Sequence, residues 1–439
     1  MNNMRHLSWI LAGYLFAATG PLVAAEHDLF VSTEPITPPE YLTTAMWRSV
    51  RLNPEALQHA MDEGGVLGLE LFGGLRVSFN SWRTITNSSG SISWIGEPVG
   101  SEYGRAVIVF RDEVAVGSIR WNANLYTLAY TGNEDIHILY EVEESDPQYQ
   151  EEPPTIPQIA PERLKAAEHE TRRRLTGQAL QDDGSIHDLL VVYSQEAMDD
   201  VGGVVAIENL IDLGVTETNM SYEFSGIDHR VNLVHTALTD YASGQGCPRD
   251  LLQNPNDGVM DEVHVLRNRY EADLVKLITA GGCGRAFIMN DISIAFEEFA
   301  FCYTSYICLT PGYTFQHELG HIQSGRHQRT APQPDSPFTF NFGYTNPDDQ
   351  FRTIMAAGDG ECPNGCPRQL AWSNPDVNEP VSGVPMGIPD TDPLPADMRQ
   401  ALNAAAWTVA NFRVSGSGVF FDGFESGDTS AWQLNEAEP

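Results

Sequence analysis

The chain has 439 residues, with 60 acidic side chains against 25 lysines and arginines and a formal net charge of −35. That length exceeds one ordinary core and predicts two domains with appendages. The charge excludes a nucleic-acid partner, which needs a basic footprint, and argues against anionic membrane surfaces.

Residues 1–25 read as a secretory signal peptide. Arg5 gives the positive start, Leu7 to Ala18 the short apolar stretch, and Val23-Ala24-Ala25 the small residues for cleavage. Gly13 and Pro21 interrupt a run already too short for a membrane span, and no later segment is long and apolar enough for one. The expected location is therefore secreted, extracellular or periplasmic.

Residues 26–145 hold no cysteine and predict a mostly β domain. Asn53 to Glu63 suggests one helix. Val66 to Phe72, Ala106 to Phe110, Val116 to Arg120 and Ile136 to Tyr140 are strand-like runs separated by turn residues. His59 and His137 are isolated, and nothing here forms a catalytic cluster. From 146 to 184 the composition is that of a charged, Pro- and Glu-rich linker. Its Arg172-Arg173-Arg174 is either a solvated charge run or a processing site, and nicking concentrates in exposed linkers.

Residues 185–414 change pattern again. Leu189 to Tyr193 is a buried-type strand, Gly203 to Tyr222 a long helix and Val231 to His235 a second strand. A helix over Met260 to Tyr270, strands over Ala272 to Ile278 and Ala286 to Met289, and a closing helix over Ala396 to Phe412 follow. This order predicts an α/β domain with a substantially parallel sheet. Residues 415–439 form a flexible joint and an acidic tail.

All six cysteines lie between 247 and 366, and an even number in an oxidising compartment predicts disulfides whose pairing stays open. Cys362-Pro-Asn-Gly-Cys366 lacks nearby histidines, so a disulfide fits it better than half of a second metal site. Asn256-Asp257-Gly258 with Asp261 and Glu262 offers oxygens to Ca2+, but helix capping explains those residues more simply.

The chemistry concentrates at His317-Glu318-Leu319-Gly320-His321, followed by His327. Positions i and i+4 share a helix face, so His317 and His321 can reach one ion, with Glu318 beside them as general base. A third ligand at His327 requires the chain to turn back, and Gly325 is placed to supply a positive φ there; Thr314 is the expected N-cap of this helix. Three protein ligands leave one zinc position open, as catalysis requires. Thr353-Ile354-Met355-Ala356 reads as a methionine turn beneath the histidines, with Met355 structural rather than a ligand.

Around this motif, Leu189-Leu-Val-Val-Tyr-Ser194, Thr218-Asn-Met-Ser-Tyr222, Arg230-Val-Asn-Leu-Val-His235, Arg267 to Val275, Cys283-Gly284, Arg352-Thr-Ile-Met355, Ser373 to Val377 and Val409 to Arg413 resemble the bacterial peptidyl-Asp metalloendopeptidases, reprolysin-like metzincin zinc peptidases. The resemblance implies a metzincin-like catalytic domain, a mixed sheet with long helices, preceded by a mostly β propeptide domain that acts as inhibitor. It implies one catalytic Zn2+, protein or peptide substrates, and cleavage on the amino side of aspartate. Arg352 and Arg326 are the nearest cations in sequence to select an acidic residue, Arg326 fitting a support for the turn better. The propeptide has no cysteine for a thiolate latch, which leaves a carboxylate latch or steric blockage. Three positions depart from the family pattern: Ser324 where glycine is usual, Gln328 where aspartate follows the third histidine, and Ala357 where some metzincins carry tyrosine. Ser324 and Gln328 motivate the rival reading, a catalytically inactive secreted binding protein. Retention of Glu318 argues against it.

Overall fold

The computed structural model describes residues 28–62, 65–101, 103–331, 336–358, 362 and 366–415. The expected signal peptide and all of the acidic tail after residue 415 lie outside them. The first half builds a nine-stranded antiparallel sheet from β1 (Phe30–Ser32), β2 (Trp47–Leu52), β3 (Val66–Glu70), β4 (Arg76–Thr86), β5 (Ile92–Pro98), β6 (Gly104–Arg111), β7 (Val114–Trp121), β8 (Asn124–Tyr130) and β9 (Ile136–Glu141). Its order is β1-β2-β9-β8-β7-β6-β5-β4-β3. Leu29 donates its N–H to the Gly68 carbonyl at 2.9 Å, so the two edges of the sheet meet. Alternating residues such as Leu67, Leu69, Val77, Phe79 and Ile108 fill one face together with Ala56 and Leu57 of α1 (Pro54–Met61), which Asn53 caps.

The opposite face meets the second half of the chain. Ile95, Val107, Val109 and Val116 pack on Leu213 and Met220 of a long helix. Polar contacts flank them: the Arg83 guanidinium grips Glu223 with two hydrogen bonds of 2.9 Å, and Ser91 donates to Asp212 at 2.7 Å.

Between the halves, α2 (Pro161–Leu175) carries Arg172, Arg173 and Arg174 in its last turn, where cations complement the helix dipole. The second sheet contains β10 (Ile186–Ser194), β11 (Arg230–Thr239), β12 (Leu274–Thr279), β13 (Gly284–Ala286) and β14 (Phe301–Ser305), in the order β11-β10-β12-β14-β13. The first four run parallel and β13 is antiparallel at the edge. The expected Ala286–Met289 strand is thus displaced towards Gly284, because pairing with β14 stops at Ala286. The helices α3 (Gln195–Asp200), α4 (Val204–Phe224), α5 (Pro248–Gln253), α6 (Asp261–Arg269), α7 (Tyr306–Leu309), α8 (Thr314–Ile322) and α9 (Met398–Val409) cover the sheet. The long helix against the first sheet is α4. A core of Leu189, Val191, Ile207, Ile211, Phe315, Met355 and Trp372 joins β10, α4 and α8.

Two disulfides form, Cys283–Cys308 and Cys362–Cys366, while Cys247 and Cys302 are unpaired. The even cysteine count therefore does not translate into full pairing. Cys302 is buried in the core with its sulfur 3.5 Å from the Lys276 ammonium. Among the described residues no helix is long and apolar enough to cross a membrane.

Candidate active site

Helix α8 begins one residue earlier than its capping pattern implies. Tyr313, not Thr314, is the N-cap, with a left-handed φ of 50°, and Thr314 is the first helical residue. The Thr314 hydroxyl is free for another task and donates to Glu151 at 3.2 Å. One turn on, His317 and His321 project from the same face.

After Ile322 the chain reverses, and the positive φ falls on Ser324, at 75°, rather than on Gly325. Gly325 is required for space instead. A β-carbon there would lie 2.6 Å from Met398 Cε and 2.8 Å from the Gly320 carbonyl oxygen. The Asn341 amide holds the strained turn by donating to the Ser324 carbonyl at 2.5 Å and to its hydroxyl at 3.3 Å. The turn delivers His327 to the other two histidines: its Nε2 is 3.0 Å from His317 Nε2, and one ligand atom from each ring lies within 4.8 Å of the others.

The second ring nitrogens fix the orientation. His317 Nδ1 donates to the Ile354 carbonyl at 2.9 Å and His321 Nδ1 to the Gly325 carbonyl at 2.8 Å. Both Nε2 atoms are then acceptors aimed at a common point, and His321 Nε2 is buried with no hydrogen-bond partner. Burial pushes the His317 pKa down to about 3 and that of His321 well below its ordinary value, so both imidazoles are neutral. Three neutral nitrogens around a tetrahedral zinc would stand about 3.3 Å apart. The cluster fits such an ion, and it is the single histidine, cysteine and carboxylate grouping of that kind among the described residues.

Glu318 is fully buried, and neither carboxylate oxygen has a hydrogen-bond partner. Burial raises its pKa well above the ordinary value, with the Lys276 ammonium partly opposing the shift. β13 passes against it: a β-carbon on Gly284 would sit 2.8 Å from Glu318 Oε1. Gln328 supplies no carboxylate but clamps the chain beyond Met355, accepting the Ala357 N–H at 2.8 Å and donating to its carbonyl at 3.3 Å. Arg326 donates to Asn290 at 2.6 Å, at the turn. Arg352 donates to the Ala356 carbonyl at 2.9 Å. The carboxylates of the Ca2+ candidate are engaged locally, Asp261 by the Gly258 N–H and Glu262 by the Thr239 hydroxyl.

Two residues beside His317 escaped the sequence reading. Glu151, from the Pro- and Glu-rich segment, places Oε1 3.9 Å from His317 Nδ1, and the buried Arg368 guanidinium forks onto both its oxygens. Burial opposes ionisation of Glu151. Arg368, with His317 and Arg352, overrides it and holds the carboxyl far below the usual range.

A fold with a parallel sheet, an antiparallel edge strand and a His-Glu-x-x-His helix above it defines a metallopeptidase. Residues 209–328 match the model of the reprolysin-like metallopeptidases of family M12B. The peptidyl-Asp metalloendopeptidase of Xanthomonas campestris pv. campestris is 33% identical over 312 residues, covering 70% of each chain. The enzyme of the same name from Stenotrophomonas maltophilia is 33% identical over 323 residues, covering 71% of each, and that of Pseudomonas fragi 36% identical over 112 residues, covering 25% of this chain and 66% of its own. The chain belongs to the peptidyl-Asp metalloendopeptidase family.

Proposed function

We propose that the protein is a secreted, zinc-dependent endopeptidase of metzincin type that cleaves on the amino side of aspartate and is made as a latent precursor. The observation that carries the reading is the unpaired Glu318 carboxylate beside three converging imidazoles, two of them held neutral with their Nδ1 protons on backbone carbonyls. His317, His321 and His327 hold the zinc, which when bound supplies Lewis acidity to the scissile carbonyl and acidity to water. Glu318, its pKa raised by burial, accepts the proton of the attacking water and returns it to the leaving amine. The Ile354 and Gly325 carbonyls keep the two imidazoles in the required tautomer.

Latency is supported by how the site is covered. His317, Glu318 and His321 are wholly inaccessible, and His327 is 7% exposed. From before residue 185, Glu151 reaches His317 and places Oε1 3.9 Å from its Nδ1. We read residues 26–145 as the propeptide domain, removed by cleavage within the segment that ends in Arg172-Arg173-Arg174. Casein hydrolysis by processed wild-type protein, beside Glu318→Ala with zinc content measured in both, tests the reading. Activity lost in the mutant alone is expected. Zinc-loaded but inactive wild type would overturn it.

A further inference from the structure

The segment that leads to Glu151 and on to Thr155 behaves as a strand. Glu152 donates its N–H to the Gly284 carbonyl at 2.9 Å and Thr155 to that of Ala286 at 3.2 Å, while Ile288 donates back to Thr155 at 3.0 Å. These bonds occupy the outer edge of β13, the strand that runs against Glu318. The segment is parallel to its neighbour at Thr155 and Phe287. From this seat the Glu151 side chain drops into a closed polar pocket beside His317.

That pocket is built for a carboxylate. Arg368, 1% exposed, presents both terminal nitrogens to the two Glu151 oxygens and is itself braced by the carbonyls of Gly312 and Ala356. The Thr314 hydroxyl is the third donor. The backbone of residue 368 is clasped by the first half of the chain: its N–H donates to Glu144 at 2.8 Å, and its carbonyl accepts from Arg120 at 2.9 Å. A buried guanidinium stripped of its partner is strongly unfavourable, so removal of Glu151 leaves a site that demands another carboxylate.

We infer that Arg368 and Thr314 form the pocket that selects the acidic side chain following the scissile bond, and that Glu151 fills it in the unprocessed chain as an internal, uncleaved occupant. The inference rests on the peptidase reading above and adds the residues that carry its selectivity. The Glu151 strand runs beside β13 while its carboxylate sits 3.9 Å from an imidazole of the cluster, so occupant and substrate exclude one another.

The test uses the full zinc-loaded chain with Glu151→Gln and Arg368→Lys, and two fluorogenic peptides differing only in Asp or Asn after the scissile bond. Glu151→Gln should raise the rate of the unprocessed chain on the Asp peptide at least about tenfold, because a neutral amide leaves Arg368 without its counter-charge. Arg368→Lys, which keeps the charge and loses the fork, should lower the Asp-to-Asn ratio of kcat/KM at least about tenfold, chiefly through KM. Amide exchange on the metal-free chain gives a readout without catalysis: Glu152 and Thr155 should lose protection in Glu151→Gln while β5–β8 keep theirs. Unchanged latency and exchange in Glu151→Gln would overturn the internal occupant, and an unchanged ratio in Arg368→Lys the pocket. Absence of hydrolysis by every form would instead sink the peptidase reading, with exchange still deciding the seat of Glu151. Should Arg368→Lys fail to fold, Thr314→Val probes the same ratio, and an unaltered value there rejects the pocket.

Discussion

Gly320 and Met355 are in contact distance that admits no side chain between them: a β-carbon on Gly320 would lie 2.6 Å from Met355 Sδ. The same atom would lie 2.6 Å from the Trp372 ring. The fourth residue of His-Glu-Leu-Gly-His is thus fixed by what passes beneath the helix. Gly320→Ala should overpack this contact and cost about 1–3 kcal/mol. Thermal denaturation of the two forms checks the cost, and equal melting temperatures would contradict it. Because the Ile354 carbonyl orients His317, weaker zinc retention against a chelator should accompany the loss.

Removal of the metal should separate binding from chemistry. His321→Ala deletes the imidazole whose Nε2 has no protein partner and should abolish stoichiometric zinc, whereas Glu318→Gln should keep zinc and lose activity by about 10²–10⁴-fold or more. Metal analysis of both purified variants, with peptide assays after processing, decides this. Glu318→Gln retaining wild-type turnover would dismiss the carboxylate as the base.

Ser324 holds φ at 75°, a conformation glycine adopts without strain. Ser324→Gly should therefore stabilise the chain by about 1 kcal/mol, since the Asn341 bond to the residue 324 carbonyl survives the change. Asn341→Ala removes that bond and should do the reverse. Denaturant midpoints for the pair provide the check, and a destabilised Ser324→Gly would show that the serine hydroxyl matters more than the backbone.

Glu217 of α4 is fully buried against β7. Burial pushes its pKa up to about 8, against hydrogen bonds from Ser118 and Gln316 that favour the charged form. The folded chain therefore binds a proton that the unfolded chain releases between its ordinary 4.5 and about 8, and stability falls as pH rises through that window. Glu217→Gln should remove this decline. Its melting temperature should match wild type near the lower end and exceed it increasingly towards the upper. A constant difference across the window would exclude Glu217 as the titrating group.

Alkylation of the denatured, unreduced protein should label two thiols, Cys247 and Cys302, and in the native state Cys302 should be inert. It is buried, and its pKa is pushed up to about 11 by burial, with Lys276 opposing. Peptide mapping that finds no labelled cysteine would reveal a third bridge.

The histidine cluster was legible because helical periodicity alone brings His317 and His321 together. The long helix α4 and strands β10 to β12 were legible for the same kind of reason, each carrying a strong apolar signal. β4 and β8 were not. β4 mixes Val77 and Phe79 with exposed charged and polar residues, and pairing with its neighbours supplies what its pattern lacks. The turn before His327 misled in a specific way: glycine was expected for conformation, whereas Gly325 is there for space and Ser324 bears the strain. Arg368 and Glu151 could not be found from spacing. They lie 217 residues apart, and in a chain with 60 acidic residues nothing local marks Glu151 as one whose side chain is buried.

The strand formed by Glu152 and Thr155 on β13 carries a consequence for diet. Whatever replaces it must offer free main-chain N–H and C=O groups in extended form, which helices and paired strands have already spent on themselves. On the inference drawn above, an aspartate on the surface of a compact folded protein offers the enzyme no such extended partner, however acidic its surroundings. On that inference, shape of the backbone comes before identity of the side chain, and loose, unfolded or partly digested proteins are the substrates to expect.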